Sequence, residues 1–159
     1  FTLNGISKML GLPQMKLSWI VVSGPPAIRA SAIRRLEIIA DTFLSASTPS
    51  QRAFPEWMAR RDVARCEISE RLEQNLETLR RAASTGRAFK ILQAEGGWYA
   101  MVQVDWDDDD EALALGLLRK HRVFVHPGYF YDIEEPNNLI LSLLTQPTVF
   151  EEWIAPLWH

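Results

Sequence analysis

Apolar residues along the chain follow two rhythms, one suited to short strands and one to long helices. Residues 1–6 open with strand-like apolar positions, and the apolar run over 17–22 reads as a second, buried strand. Ser23-Gly24-Pro25-Pro26 stops that strand and opens a helix, with Pro26 near its first position. Ile28, Ala32, Leu36, Ile39 and Phe43 recur at helical spacing, which predicts a helix to about residue 44, broken over 45–47. Thr48-Pro49-Ser50-Gln51 reads as a capping box, with Thr48 as N-cap, Pro49 at N1 and Gln51 reaching back to the cap N–H. The helix it starts is predicted to bend or break around Pro55 and to run to about residue 83. Ala64, Ile68, Leu72, Leu76, Leu79 and Ala83 form its apolar stripe, and Ser84-Thr85-Gly86 its stop.

Beyond that helix the period changes. Residues 89–92 and 98–104 read as strands joined by the turn Ala94-Glu95-Gly96-Gly97, and Ala100, Val102 and Val104 mark one buried face. The acidic run over 107–110, with Glu111, has two readings, a metal site or a helix start favoured by the helix dipole. Ala112, Leu113, Leu115, Leu117 and Leu118 follow at once and no calcium-loop glycine is present, so the helix start is preferred. Arg119, Lys120, His121 and Arg122 suit the other end. A short strand and loop over 123–130, a strand over 138–143 and a closing helix from Pro147 complete the pattern, with Trp158-His159 as a natural end.

With 159 residues, 47% of them hydrophobic, the chain is long enough for one sizeable core. A net charge of −3 argues against a nucleic-acid partner, and no apolar stretch is long enough to cross a membrane. The start carries no signal-peptide pattern, and Cys66, as the single cysteine, allows no internal disulfide; together these predict a cytoplasmic location. Cys66 is read as a small buried residue. Arginines over 60–81 alternate with glutamates, which predicts a solvated, ion-paired helix face. Because Phe1 opens directly in a strand-like segment, we expect a C-terminal part of a longer protein.

The densest chemistry lies in Asn4-Gly5-Ile6-Ser7-Lys8-Met9-Leu10-Gly11-Leu12-Pro13-Gln14-Met15-Lys16-Leu17-Ser18-Trp19-Ile20. A lysine on a turn between two buried segments is costly without a partner or a covalent task. Lys8 can act as an amine nucleophile, Ser7 offers a hydroxyl beside it, Lys16 offers a point charge, and Gly5 and Gly11 permit tight turns. This run resembles the Schiff-base lysine region of fold-type I pyridoxal-phosphate enzymes, in particular the class I/II aminotransferases. The resemblance implies pyridoxal 5'-phosphate as cofactor, Lys8 as the lysine that binds it, Lys16 where the family usually has a phosphate-binding arginine, and Ser7 in the phosphate shell.

Other segments extend the likeness from Phe1 to Trp153. Thr48-Pro49-Ser50-Gln51 is similar to a Pro-x-Gln helix start that lies near the dimer interface and cofactor in related enzymes; Gln51 has that reading and a plain capping role. Gly96-Gly97-Trp98-Tyr99 resembles a small-domain segment whose aromatics line a substrate pocket, although core packing is the simpler role for most of them. Residues 123–130 resemble the strand and Pro-Gly loop at the mouth of the site, with His126 read as a loop residue making structural bonds. Asn138-Leu139-Ile140-Leu141-Ser142-Leu143 resembles the final small-domain strand but carries Ile140 where the family places its carboxylate-binding arginine, so recognition of an ordinary amino acid by that route is in question.

The implied architecture is α/β: the end of a large-domain sheet, long interdomain helices, and a small α/β domain with helices packed on a short sheet. Residues 1–47 would close the large cofactor-binding domain, and 48–159 would form the interdomain helix and small domain. The implied function is a fragment of an aminotransferase moving an amino group between an amino acid and a 2-oxo acid, inactive when isolated and homodimeric in the whole protein. The alternatives are other chemistry on the same lysine (β-elimination or decarboxylation), a cofactor-binding sensing domain of a regulator, and a non-catalytic scaffold.

Overall fold

A computed structural model describes residues 1–84, 89–106 and 109–155. The chain divides into two compact units, Phe1–Glu67 and Ile68–His159.

In the first unit, β1 (Thr2–Gly5) pairs antiparallel with β2 (Ser18–Val21), Gly5 opposite Ser18. Between them lie the one-turn helix α1 (Ile6–Met9) and a 3-10 turn (Pro13–Met15). The core here is small. Ile6, Leu10 and Leu17 are buried, with Trp19, Phe54 and Trp57 among the half-buried residues packed against them. Burying three such side chains contributes about 1.5–3 kcal/mol each. The strands themselves are mostly exposed, contrary to the expectation of a buried strand over 17–22: Leu3, Ile20 and Val21 all face outward. The physical reason is that, among the described residues, β1 and β2 pair with no other strand. Only Leu17 and the inner side of Trp19 reach the apolar cluster.

Helix α2 (Pro26–Asp41) starts where Pro26 predicts and buries none of its residues. Helix α3 (Thr48–Ala59) begins one residue earlier than the capping box implies. Ser47 is the N-cap, its hydroxyl accepting the Ser50 N–H at 3.5 Å, and Gln51 donates to the Ala46 carbonyl at 2.9 Å instead of returning to a cap N–H. Pro55 sits inside α3 without ending it. The break falls at Arg60 (φ −101°, ψ 7°), whose N–H turns to the Trp57 carbonyl at 3.1 Å before α4 (Arg61–Ser84) resumes.

In the second unit, β3 (Phe89–Ile91), β4 (Tyr99–Val104), β5 (His126–Pro127) and β6 (Asn138–Ser142) form one antiparallel sheet in the order β3-β4-β6-β5. The helices are the latter part of α4, α5 (Asp110–His121) and α6 (Pro147–Ile154). All of them supply side chains to a single core. Leu79 and Ala82, then Leu113 and Leu117, then Phe150 and Ile154, meet Ala100, Val102, Leu139 and Leu141 from the sheet. The period-2 expectation for β4 holds: Ala100 and Val102 have no exposed surface. Tyr99 lies on the opposite face, 46% exposed, so core packing is not its role.

The stripe read from α4 packs as expected at Leu72, Leu76, Leu79 and Ala83. Cys66 is exposed rather than buried. Two residues from Ala64 it is turned about 200° around the helix, away from that stripe. Ion pairs near the start of α4 join Arg60 to Glu56 (3.2 Å) and both Arg61 (3.2 Å) and Arg65 (3.9 Å) to Asp62. Thr85 and Gly86 of the expected stop, Asp107 and Asp108 of the acidic run, and the Trp158-His159 end lie outside the described residues.

Candidate active site

Gly5 ends β1 where the two strands approach so closely that a larger residue would push its neighbours apart by a few tenths of an ångström. A Cβ there would lie 3.1 Å from both the Leu17 carbonyl oxygen and the Ser18 Cβ. That close approach lets the Ile6 N–H donate to the Leu17 carbonyl at 3.1 Å, closing residues 6–17 into one loop. Within the loop, Leu10 and Leu12 both donate their N–H to the Ile6 carbonyl, at 3.0 and 3.3 Å. Ile6 is therefore fixed by its backbone on both sides and by a side chain with no exposed surface.

Ser7 and Lys8 follow Ile6 directly. Lys8 occupies the last turn of α1 and is exposed, while Ser7 is half-buried. Lys16 terminates the 3-10 turn in the left-handed region (φ 48°, ψ 45°), a conformation that a residue with a Cβ adopts at a cost of about 1–2 kcal/mol. Its neighbours hold it there: Leu17 is buried, and the Met15 carbonyl accepts the buried Ser50 hydroxyl at 3.2 Å. The motif containing Ser50 was legible as a helix start, but its bond across 35 residues to the lysine loop was not. The closed loop thus carries an amine at Lys8, a hydroxyl at Ser7 and a second cation at Lys16.

In the second unit the edge strand β5 carries His126 directly opposite Ile140 of β6, and Ile140 lies opposite Met101 of β4. His126 does make the structural bond expected of it, Nδ1 to the Tyr131 hydroxyl at 2.7 Å. The acidic run gives a real helix start, in which Asp109 caps α5 by accepting the Ala112 N–H at 2.7 Å. Asp110 has a role that the sequence did not reveal. Its carboxylate is buried and accepts the backbone N–H groups of Gly128 (3.2 Å), Asn138 (3.1 Å) and Asn137. Gly128 is again required, since a Cβ would lie 2.8 Å from the Asn138 Cβ and 3.0 Å from Asp110 Oδ2. Desolvation first, then the carboxylates of Glu111 and Asp109, raise the phenol of the neighbouring Tyr129 above its ordinary pKa. Among the described residues no cluster of His, Cys, Asp and Glu is arranged to hold a metal ion, and no helix is long and apolar enough to cross a membrane.

The family model for aminotransferase class I and II matches residues 1–151. The chain belongs to that family. Relatives of established name include the alanine aminotransferases of Mycobacterium bovis and Mycobacterium tuberculosis, each 24% identical over 149 residues, covering 90% of this chain and 35% of the relative. The chain thus spans 35% of the length of the curated relatives it matches. Among solved structures, aspartate aminotransferase from Thermotoga maritima superposes with a TM-score of 0.73 at 21% identity, over 96% of this chain and 37% of that one. A PLP-dependent aminotransferase from Streptococcus suis gives 0.80 at 17% identity, over 96% and 39%. These likenesses establish the α/β aminotransferase fold expected from the sequence.

Proposed function

We propose that this chain is the lysine-bearing part of a pyridoxal-phosphate-dependent aminotransferase that moves an amino group between an amino acid and a 2-oxo acid. The observation that carries this reading is the 6–17 loop, which holds Ser7, Lys8 and Lys16 between two paired strands of a chain matched to the family over 1–151. The named relatives, alanine and aspartate aminotransferases, support amino acids and 2-oxo acids as the substrate class.

In this reading Lys8 is the attachment point, and its Nζ carries a proton to and from the substrate carbon. An amine on a short helix whose first residue is fully buried has a defined base, which suits a group that must be positioned to hold and to shuttle. Lys16 and Ser7 hold the phosphate, Lys16 as a point charge whose backbone is held in place by Leu17 and by the Ser50–Met15 bond. When bound, the cofactor supplies the electron sink that makes the substrate's α C–H acidic. Residues 1–47 belong to the cofactor-binding portion and 48–159 to the interdomain helix and small domain of a cytoplasmic homodimer. The test is amino transfer by the whole protein: product formation that requires a 2-oxo acid and is lost in Lys8→Ala supports the reading. Product release without a 2-oxo acid would instead assign the lysine to elimination chemistry.

A further inference from the structure

Ser50 is the one buried residue of α3, and it stands on the apolar side of that helix. Phe54, Trp57 and Met58 follow it at helical spacing and pack against the cluster of Ile6, Leu10 and Leu17 that closes the lysine loop. A hydroxyl on such a face is costly to bury unless it is bonded. Its single O–H donates to the Met15 carbonyl at 3.2 Å, across 35 residues.

That carbonyl shares a rigid peptide plane with the Lys16 N–H, so the bond restrains the rotation that sets φ of Lys16. On one side the Met15 N–H donates to the Leu12 carbonyl at 3.3 Å, and on the other the Leu17 carbonyl accepts the Ile6 N–H at 3.1 Å. Between those two anchors the Met15–Lys16 plane is held by Ser50. Lys16 sits there at φ 48°, a left-handed conformation that a residue bearing a Cβ leaves when nothing holds it. The cost of that conformation and the net worth of one neutral hydrogen bond are of the same size. Removing the bond is therefore enough to let the plane turn over, which swings the Lys16 side chain to a new direction.

Direction matters more for a lysine than for an arginine. A guanidinium grips an anion with a planar fork, whereas an ammonium is a point charge at the end of a flexible stem. The Lys16 side chain is exposed, so what the fold contributes is the point and direction from which that stem departs. We propose that Ser50 is a positioning residue for the phosphate cation. Through the Met15 carbonyl it holds Lys16 in the left-handed conformation from which its ammonium serves the phosphate. The proposal rests on the reading of Lys16 as the phosphate-binding charge, and every residue it uses lies in the unit Phe1–Glu67.

Two measurements test this. In the cofactor-free chain, the Lys16 Cα and Cβ chemical shifts report its backbone. Left-handed values are expected in the parent and their loss in Ser50→Ala; their retention in Ser50→Ala overturns the proposal. In the whole protein, the ratio of affinities for pyridoxal phosphate and for pyridoxal isolates the phosphate, since ring and aldehyde are common to both. That ratio should fall about two- to tenfold in Ser50→Ala, the worth of one neutral hydrogen bond. A merely structural loss weakens both compounds alike and leaves the ratio where it was. Lys16→Ala should lower the ratio at least as far, and adding Ser50→Ala to it should lower it no further. A further, additive fall in the double variant overturns action through Lys16. A ratio unchanged in Ser50→Ala but lowered in Lys16→Ala overturns the positioning role and leaves the phosphate reading standing. A ratio unchanged in Lys16→Ala overturns the phosphate reading together with the proposal built on it.

Discussion

Replacing Asp110 with alanine should be among the most damaging single changes in the second unit. Its carboxylate accepts three backbone N–H groups, from Gly128, Asn137 and Asn138, and so joins the start of α5 to the Pro127-Gly128 turn and to the first residue of β6. Gly128 and Asn138 are buried, whereas Asn137 is half-buried and can turn to water. Two stranded buried donors, at about 1–3 kcal/mol each, give about 2–6 kcal/mol for Asp110→Ala. Asp110→Asn retains one acceptor oxygen but opposes an amide N–H₂ to one donor, for about 1–3 kcal/mol. Asp109→Ala, which removes the α5 cap, should cost about 1 kcal/mol. Urea unfolding of the three variants measures this order, and amide exchange at Gly128 and Asn138 shows whether the loss is local. An Asp110→Ala chain within about 1 kcal/mol of the parent, or with unchanged protection at those amides, would refute the clamp.

Asn75 has no exposed surface and donates to the Leu143 and Thr145 carbonyls at 2.8 and 2.7 Å, so Asn75→Ala should lose about 2–4 kcal/mol in the same unfolding assay. Ser50→Ala removes the bond to the Met15 carbonyl; a loss of about 0.5–1.5 kcal/mol is expected, with faster exchange of the Ile6 amide if the lysine loop loosens. The Tyr129 phenol should titrate above its ordinary value by ultraviolet absorbance, and Glu111→Gln should lower it only part of the way, because desolvation, the larger cause, remains. Because the folded-state value is raised, the associated stabilisation is present below the unfolded value and is lost as the pH rises through the folded one.

Much of the fold was readable because hydrophobic period and turn chemistry agree along most of the chain. Ala100, Val102 and Val104 alternate cleanly and are buried; Leu72, Leu76 and Leu79 recur at helical spacing and pack. Local signals failed where a partner distant in sequence decides the outcome. Nothing around Asp110 distinguishes it from its acidic neighbours, since its three donors come from segments 18 to 28 residues away. Asn75 lies among charged residues on α4, and only the carbonyls at the end of β6 explain its burial. Composition alone predicts a buried Cys66, but its angle around the helix, off the apolar stripe, leaves it exposed. Composition predicts a buried strand over 17–22, but burial depends on what pairs beside it, and among the described residues β2 pairs with β1 alone. The lysine loop was legible as chemistry because Ser7, Lys8 and Lys16 are close in sequence. Its mechanical support, through Ser50 and the Ile6–Leu17 bond, was not.

The central claim concerns Lys8, and borohydride reduction of the whole protein loaded with pyridoxal phosphate tests it most directly. A single pyridoxyl label on Lys8 is expected by peptide mapping, absent in Lys8→Ala and reduced in Lys16→Ala. A label distributed over other lysines, or one that persists undiminished in Lys8→Ala, would contradict it.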